Sequence, residues 1–177
     1  CMSMKKFFHN NQEVIFFVSI LIIIWRLFLL ISSFLGVYLL PLRFGFTWII
    51  PWGNFDGIHY VSIAQKGYAD YQQAFFPLYP LLIKYVSLIT FQNNAWAALI
   101  ITYVLLFCWL SLLYKLLRLD FSNVVSKWAL VFMLFFPTGF FFGAIYTESL
   151  FLFLVVASFY AARKEKWLLA GVFAGLA

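Results

Sequence analysis

Charge is what this chain has least of, and acidic charge least of all: only 10% of its residues are ionic, and Asp and Glu together number six. A soluble domain of 177 residues that is 66% hydrophobic, with a mean hydropathy of +0.98, could not bury that much apolar surface; a chain whose solvent is hydrocarbon need not. Cysteine is nearly missing too. Cys1 and Cys108 have no metal-ligand spacing, and Cys108 lies inside the apolar run VLLFCWLSLL, which points to a buried thiol and excludes a disulfide framework. His9 and His59 are separated by a whole apolar segment, so no zinc or di-iron spacing exists and no metal site is expected. A Gly-rich phosphate loop is absent; the Gly171 to Gly175 spacing suits helix packing. The excess of twelve Lys and Arg over six acids forms neither a run nor a face, which argues against nucleic acid as a partner and leaves topology as its meaning.

What remains reads as an all-α polytopic membrane protein whose direct partner is the lipid bilayer. Residues 14 to 40 exceed the ~20 apolar residues needed to cross and form a first span, a signal anchor that stays, with Arg26 near its middle. Residues 41 to 94 carry four of the five prolines and form a long extracytoplasmic loop with interfacial helices. Further spans follow at 95 to 114, at 128 to 145 with a break near Pro137 and Gly139, and at 148 to 162; 167 to 177 begins another. The segment 75 to 91 decides the orientation. If it lies on the surface with Lys84 snorkelling, then Lys5, Lys6, Lys115, Arg118, Lys127, Arg163, Lys164 and Lys166 are all cytoplasmic, against Arg43, Lys66 and Lys84 outside. Asp56 and Glu148 then share the extracytoplasmic face.

In PWGNFDGIHY, Asn54 is a candidate N-cap for a short helix over 55 to 66, on which Asp56, His59, Tyr60 and Ile63 fall on one face. The bland reading is a carboxylate favoured by the helix dipole, with His59 and Tyr60 at the interface. Glu148, in AIYTESLF, stands at the mouth of a span, with Thr147 placed to cap it and Tyr146 and Ser149 beside it. Two acids on one face, far apart in sequence, suggest a shared polar cavity. Arg26 has two readings, pairing with a carboxylate or lipid phosphate, or packing against backbone carbonyls. Trp48, Trp52, Tyr60 and Tyr68 fit an outer aromatic belt, which could also stack on a sugar ring.

Three blocks, NFDGIHYVSIAQKGY, AFFPLYPLLI and FFPTGFFFGAIYTESLFLFLVVASFYAARKEKWLLAGVFAGLA, in this order resemble the PIG-V-type mannosyltransferases, the GPI mannosyltransferase 2 family of the GT-C superfamily, with its prokaryotic relatives. The resemblance spans about residues 45 to 177. The family's usual Trp before Asp-Gly is Phe55 here, and the usual Ser before its Glu is Thr147. Because the family is longer, the chain reads as an N-terminal part. The resemblance implies a GT-C-like helical bundle that takes mannose from a polyprenyl or dolichyl phosphate and transfers it, with inversion, to a glycolipid or other envelope glycan. It implies Asp56 as catalytic base and His59, Tyr60, Tyr146, Glu148, Ser149 and Trp52 as substrate-binding residues. Arg43 or Lys66 could neutralise phosphate, or could simply snorkel. The site would be extracytoplasmic at a prokaryotic plasma membrane, or luminal in a eukaryotic endoplasmic reticulum. Two rival readings are a flippase-like transporter of lipid-linked sugar, which predicts paired repeats not seen here, and a non-catalytic subunit of a glycan assembly complex.

Overall fold

The computed structural model describes residues 4–39 and 50–177, and the regular structure among these is all helical, with no strand. Arg43 and Trp48 lie outside the described residues. The helices are α1 (Met4–Leu39), α2 (Ile50–Gly53), α3 (Asp56–Lys66), α4 (Leu78–Ser87), α5 (Asn94–Leu117), α6 (Asn123–Phe135), α7 (Glu148–Arg163) and α8 (Trp167–Leu176), with a 3-10 turn at Gly139–Gly143 between α6 and α7.

Local chemistry sets the boundaries. Asn93 starts α5 by accepting the Trp96 N–H at 3.1 Å, and Ser122 starts α6 by accepting the Val125 N–H at 3.3 Å. α6 stops where it must: Pro137 forces Phe136 into extended backbone, so the apolar run over 128 to 145 breaks into a helix and a 3-10 turn. Two stretches, Gln12–Gly36 and Asn94–Leu117, are long and apolar enough to cross a bilayer. α4, with 10 residues, is about 15 Å long, half of a ~30 Å hydrocarbon core.

Two clusters of buried side chains hold the bundle. One joins α3, α4, α5 and α7 through Tyr60, Tyr79, Ile83, Ala98 and Leu154; the other joins α1, α5 and α6 through Val18, Trp25, Leu106, Trp109 and Leu130. Around α1 the outward face is apolar as well, with Phe16, Ile23, Leu27 and Ile31 all more than half exposed, a surface suited to lipid.

Polar groups gather at the two ends. At one, Lys127 on α6 meets Glu13 on α1 at 2.7 Å, Asn123 donates to the same carboxylate, and Tyr114 on α5 donates to Asn123 at 2.9 Å. Arg163 clamps Asp120 there with two hydrogen bonds of 2.6 and 2.8 Å, tying the α5–α6 turn to the end of α7. At the other end lie Asp56, Tyr146 and Glu148.

The Arg163 hydrogen bonds hold the Asp120 carboxyl below the usual carboxylate range, so the pair's stabilisation is complete above that range and is lost as pH falls through the depressed value. Both groups are exposed, so the contribution is small. Thermal unfolding of Asp120→Asn beside wild type is expected to show a slight, constant difference at neutral pH that closes as the solution is acidified; a difference that widened in acid would contradict this assignment.

Candidate functional site

The site is built where the α2–α3 corner meets the residues entering α7. Phe55 takes a left-handed backbone, φ 52°, which is costly for a residue with a Cβ, and this turn delivers Asp56 into the first turn of α3. Asn54 does not cap the helix with its side chain, as the sequence suggested. Phe55 occupies the cap position, and Asn54 contributes its carbonyl, which accepts the Gly57 N–H and the Tyr146 hydroxyl, each at 3.1 Å.

Three further contacts fasten the corner. The Ile145 N–H donates to the Trp52 carbonyl at 2.6 Å. Gly57 packs so closely on the Ile145 carbonyl that a Cβ there would lie 3.0 Å from its oxygen. Tyr60 on α3 shares a 3.4 Å hydrogen bond with the Thr147 hydroxyl. Thr147 therefore does not cap α7 with its side chain; its own backbone is helical, φ −83° and ψ −8°, which does not aim the hydroxyl at the following amides.

Asp56 is exposed and opens into a cleft of about 350 Å³ that Asn54, Phe55, Phe140, Phe141 and Tyr146 line with it. The 3-10 turn supplies Phe140 and Phe141, and Tyr146 meets Phe141 edge-on at 5.1 Å between ring centroids. One carboxylate thus faces a mostly aromatic hollow. Glu148 does not line this cleft; it is half-buried, close enough to Asp56 for their charges to interact, and its Oε2 is sealed from solvent with no hydrogen-bond partner among the described residues. A desolvated oxygen of this kind calls for a donor from outside the chain or from water.

The two carboxylates are felt by the phenols between them. Burial pushes the Tyr146 hydroxyl up from its ordinary value, and Asp56 and Glu148 add to the rise. Burial raises Tyr60 as well, with the same two acids contributing. Both hydroxyls stay protonated near neutral pH; Tyr146 donates its proton to the Asn54 carbonyl, and Tyr60 shares its hydrogen bond with Thr147.

The other candidate residues divide by position. His59 turns toward the loop after α3, where Nδ1 lies 3.2 Å from the Gln72 amide nitrogen and the ring stacks on Phe75 at 4.9 Å. Ser149 is buried beneath the site, donating to the Phe142 carbonyl at 2.8 Å and facing Trp109 Nε1 at 3.4 Å. Lys66 ends α3, ten residues and about 15 Å from Asp56, on the rim of a different groove. Phe140, Phe141 and the Asn54 carbonyl were missed by sequence reasoning, since a phenylalanine run in an apolar chain reads as lipid-facing; the Pro137 and Gly139 break was the signal that this run leaves the helix. No group of three or more His, Cys, Asp or Glu side chains converges among the described residues.

Trp52 is buried and carries Arg26. The guanidinium carbon lies 3.6 Å from the centre of the Trp52 ring and 5.3 Å from that of Tyr103 on α5. Arg26 Nη1 and the Tyr103 hydroxyl are both sealed without hydrogen-bond partners among the described residues. Aromatic faces here do the work a carboxylate would do elsewhere. Because the Trp52 carbonyl holds Ile145, the stack fixes the corner that carries Asp56.

Comparison of the chain with family models, curated proteins and solved structures returned no match.

A double-mutant cycle tests the stack. Trp52→Leu leaves Arg26 desolvated without its ring and is expected to destabilise by about 2 kcal/mol or more. Arg26→Met/Trp52→Leu should be milder than the sum of its single changes by at least ~1 kcal/mol in thermal unfolding. Additive single changes would show that the two side chains do not interact.

Proposed function

We propose that the protein is a multi-pass membrane glycosyltransferase that moves a sugar, mannose in our reading, from a polyprenyl phosphate to a glycolipid or other envelope glycan. The observation that carries this reading is the exposed carboxylate of Asp56 in an aromatic-lined cleft that Tyr146 also lines, with Glu148 near enough for the two acids to interact. The sequence blocks that resemble the PIG-V-type mannosyltransferases fall on the elements that build this cleft: α3, the 3-10 turn and the start of α7.

The chemistry is one displacement. The acceptor hydroxyl oxygen bonds to the anomeric carbon as the bond from that carbon to the lipid phosphate breaks, the phosphate leaves with the electron pair, and Asp56 takes the hydroxyl proton. Phe140 and Phe141 offer faces against which a sugar ring can stack, and the Tyr146 hydroxyl, Glu148 and the Asn54 region hold its hydroxyls, so that much of the rate comes from orientation. A substrate hydroxyl reaching Glu148 would supply the donor that its sealed oxygen lacks.

The polar ends support the orientation. The end bearing Lys115, Arg118, Lys127 and Arg163 is cytoplasmic under the positive-inside rule, and the Asp56 cleft opens on the opposite side. The shorter helices α6, α7 and α8 complete the bundle in the membrane, and α4 lies at its surface.

Membranes carrying the protein, given radiolabelled polyprenyl-phosphate mannose, are expected to pass label into glycolipid, and Asp56→Asn to lower the rate by about 100-fold or more, the scale of general-base loss. Equal transfer by the two proteins would remove Asp56 from the mechanism. An absence of transfer by wild type, with label instead moving across the bilayer, would favour the flippase-like reading.

A further inference from the structure

On the far side of α3 from its acidic end, a groove of about 360 Å³ runs between the last turn of α3 and α4. Its floor is apolar and largely covered, made by Ile63, Ala64 and Pro80, while Lys66 and Lys84 stand exposed on its rim with no acid among the lining residues. Neither lysine makes an ion pair with a described carboxylate. Two unneutralised cations over an apolar floor match a ligand with an anionic head and a hydrocarbon tail.

The adjacent helix says where such a ligand comes from. α4 buries Tyr79 and Ile83 against α5, with the Tyr79 hydroxyl 2.8 Å from Thr102 on α5. Its opposite face leaves Leu81, Tyr85 and Leu88 between 46 and 66% exposed, and Lys84 lies among them. A helix too short to cross, with one apolar face outward and a lysine within it, lies at the boundary between headgroups and acyl chains. The groove mouth then opens at the depth of lipid phosphates.

We propose that this groove is a binding site for one anionic phospholipid of the surrounding bilayer, its phosphate held between Lys66 and Lys84 and the start of its acyl chain on Ile63, Pro80 and Leu81. The site lies away from the Asp56 cleft and rests on the membrane location of this end of the bundle, not on the transferase reading. Binding here pins α4, and with it the α3–α4 unit, to the membrane surface.

The test uses the whole protein in nanodiscs of phosphatidylcholine containing phosphatidylglycerol, released into a mass spectrometer under native conditions. Wild type is expected to retain one phosphatidylglycerol in preference to phosphatidylcholine. Lys66→Gln/Lys84→Gln should lower that retention by about tenfold or more, while Lys66→Arg/Lys84→Arg, which keeps both charges, should preserve it. Undiminished retention by the Gln variant would overturn the proposal, as would equal retention of the two lipids by wild type. Displacement of phosphatidylglycerol from wild type by a much smaller amount of added polyprenyl phosphate would assign the groove to a carrier lipid and equally overturn it. Sugar-transfer activity enters none of these readouts, so the proposal stands or falls independently of the enzyme reading.

Discussion

The hydrogen bond from the Ile145 N–H to the Trp52 carbonyl, 2.6 Å long, joins two stretches of chain that are ninety-three positions apart and on which every feature of the acidic end depends. Left of it in sequence lies the corner that turns into α3 and presents Asp56; right of it lies the short extended link that turns into α7 and presents Glu148. The Ile145 N–H and the Trp52 carbonyl satisfy each other, and the Tyr146 side-chain hydroxyl adds a second tie by donating to the Asn54 carbonyl. Gly57 permits the approach, because a side chain there would press on the Ile145 carbonyl. The cleft is the space left in front of this junction.

Charge inside a low-dielectric bundle explains what surrounds it. Arg26 enters from α1 without a carboxylate beside it and is offset by the faces of Trp52 and Tyr103, so the cation that is hardest to place also braces the strap that must not move. Glu148 has the opposite difficulty: one oxygen is sealed and has no hydrogen-bond partner among the described residues. At the other end the Asp120–Arg163 and Glu13–Lys127 pairs face water, where their role is to tie helix ends together. Strongly polar contacts are thus kept to the two ends, and the middle is left to packing.

Much of the helical architecture was legible in the sequence because length and hydropathy are crude, robust signals: the long runs in α1 and α5 could hardly be read otherwise, and two prolines in the segment foretold that the helix at α4 would be short. Proline chemistry also located the end of α6. The site was legible only in its acids. Helical spacing grouped His59 with Asp56, but the structure turns His59 to Gln72 and Phe75, because the loop after α3 folds back on that side of the helix. Thr147 looked like a cap, yet capping depends on the backbone angle of the residue itself, which composition does not reveal. Phe140 and Phe141 were hidden among 24 phenylalanines, and only the 3-10 turn, which takes them out of the helical run, sets them at the cleft beside Phe55.

We propose that the cleft carries out one direct displacement, with Asp56 as a base and not as a nucleophile. The most direct measurement is the anomeric configuration of the transferred sugar, read by NMR on the product formed from a β-linked polyprenyl-phosphate mannose. An α-mannoside, with inversion and no sugar bound to the protein, is the predicted result. A β-mannoside, or a mannosyl group trapped on Asp56, would contradict the account.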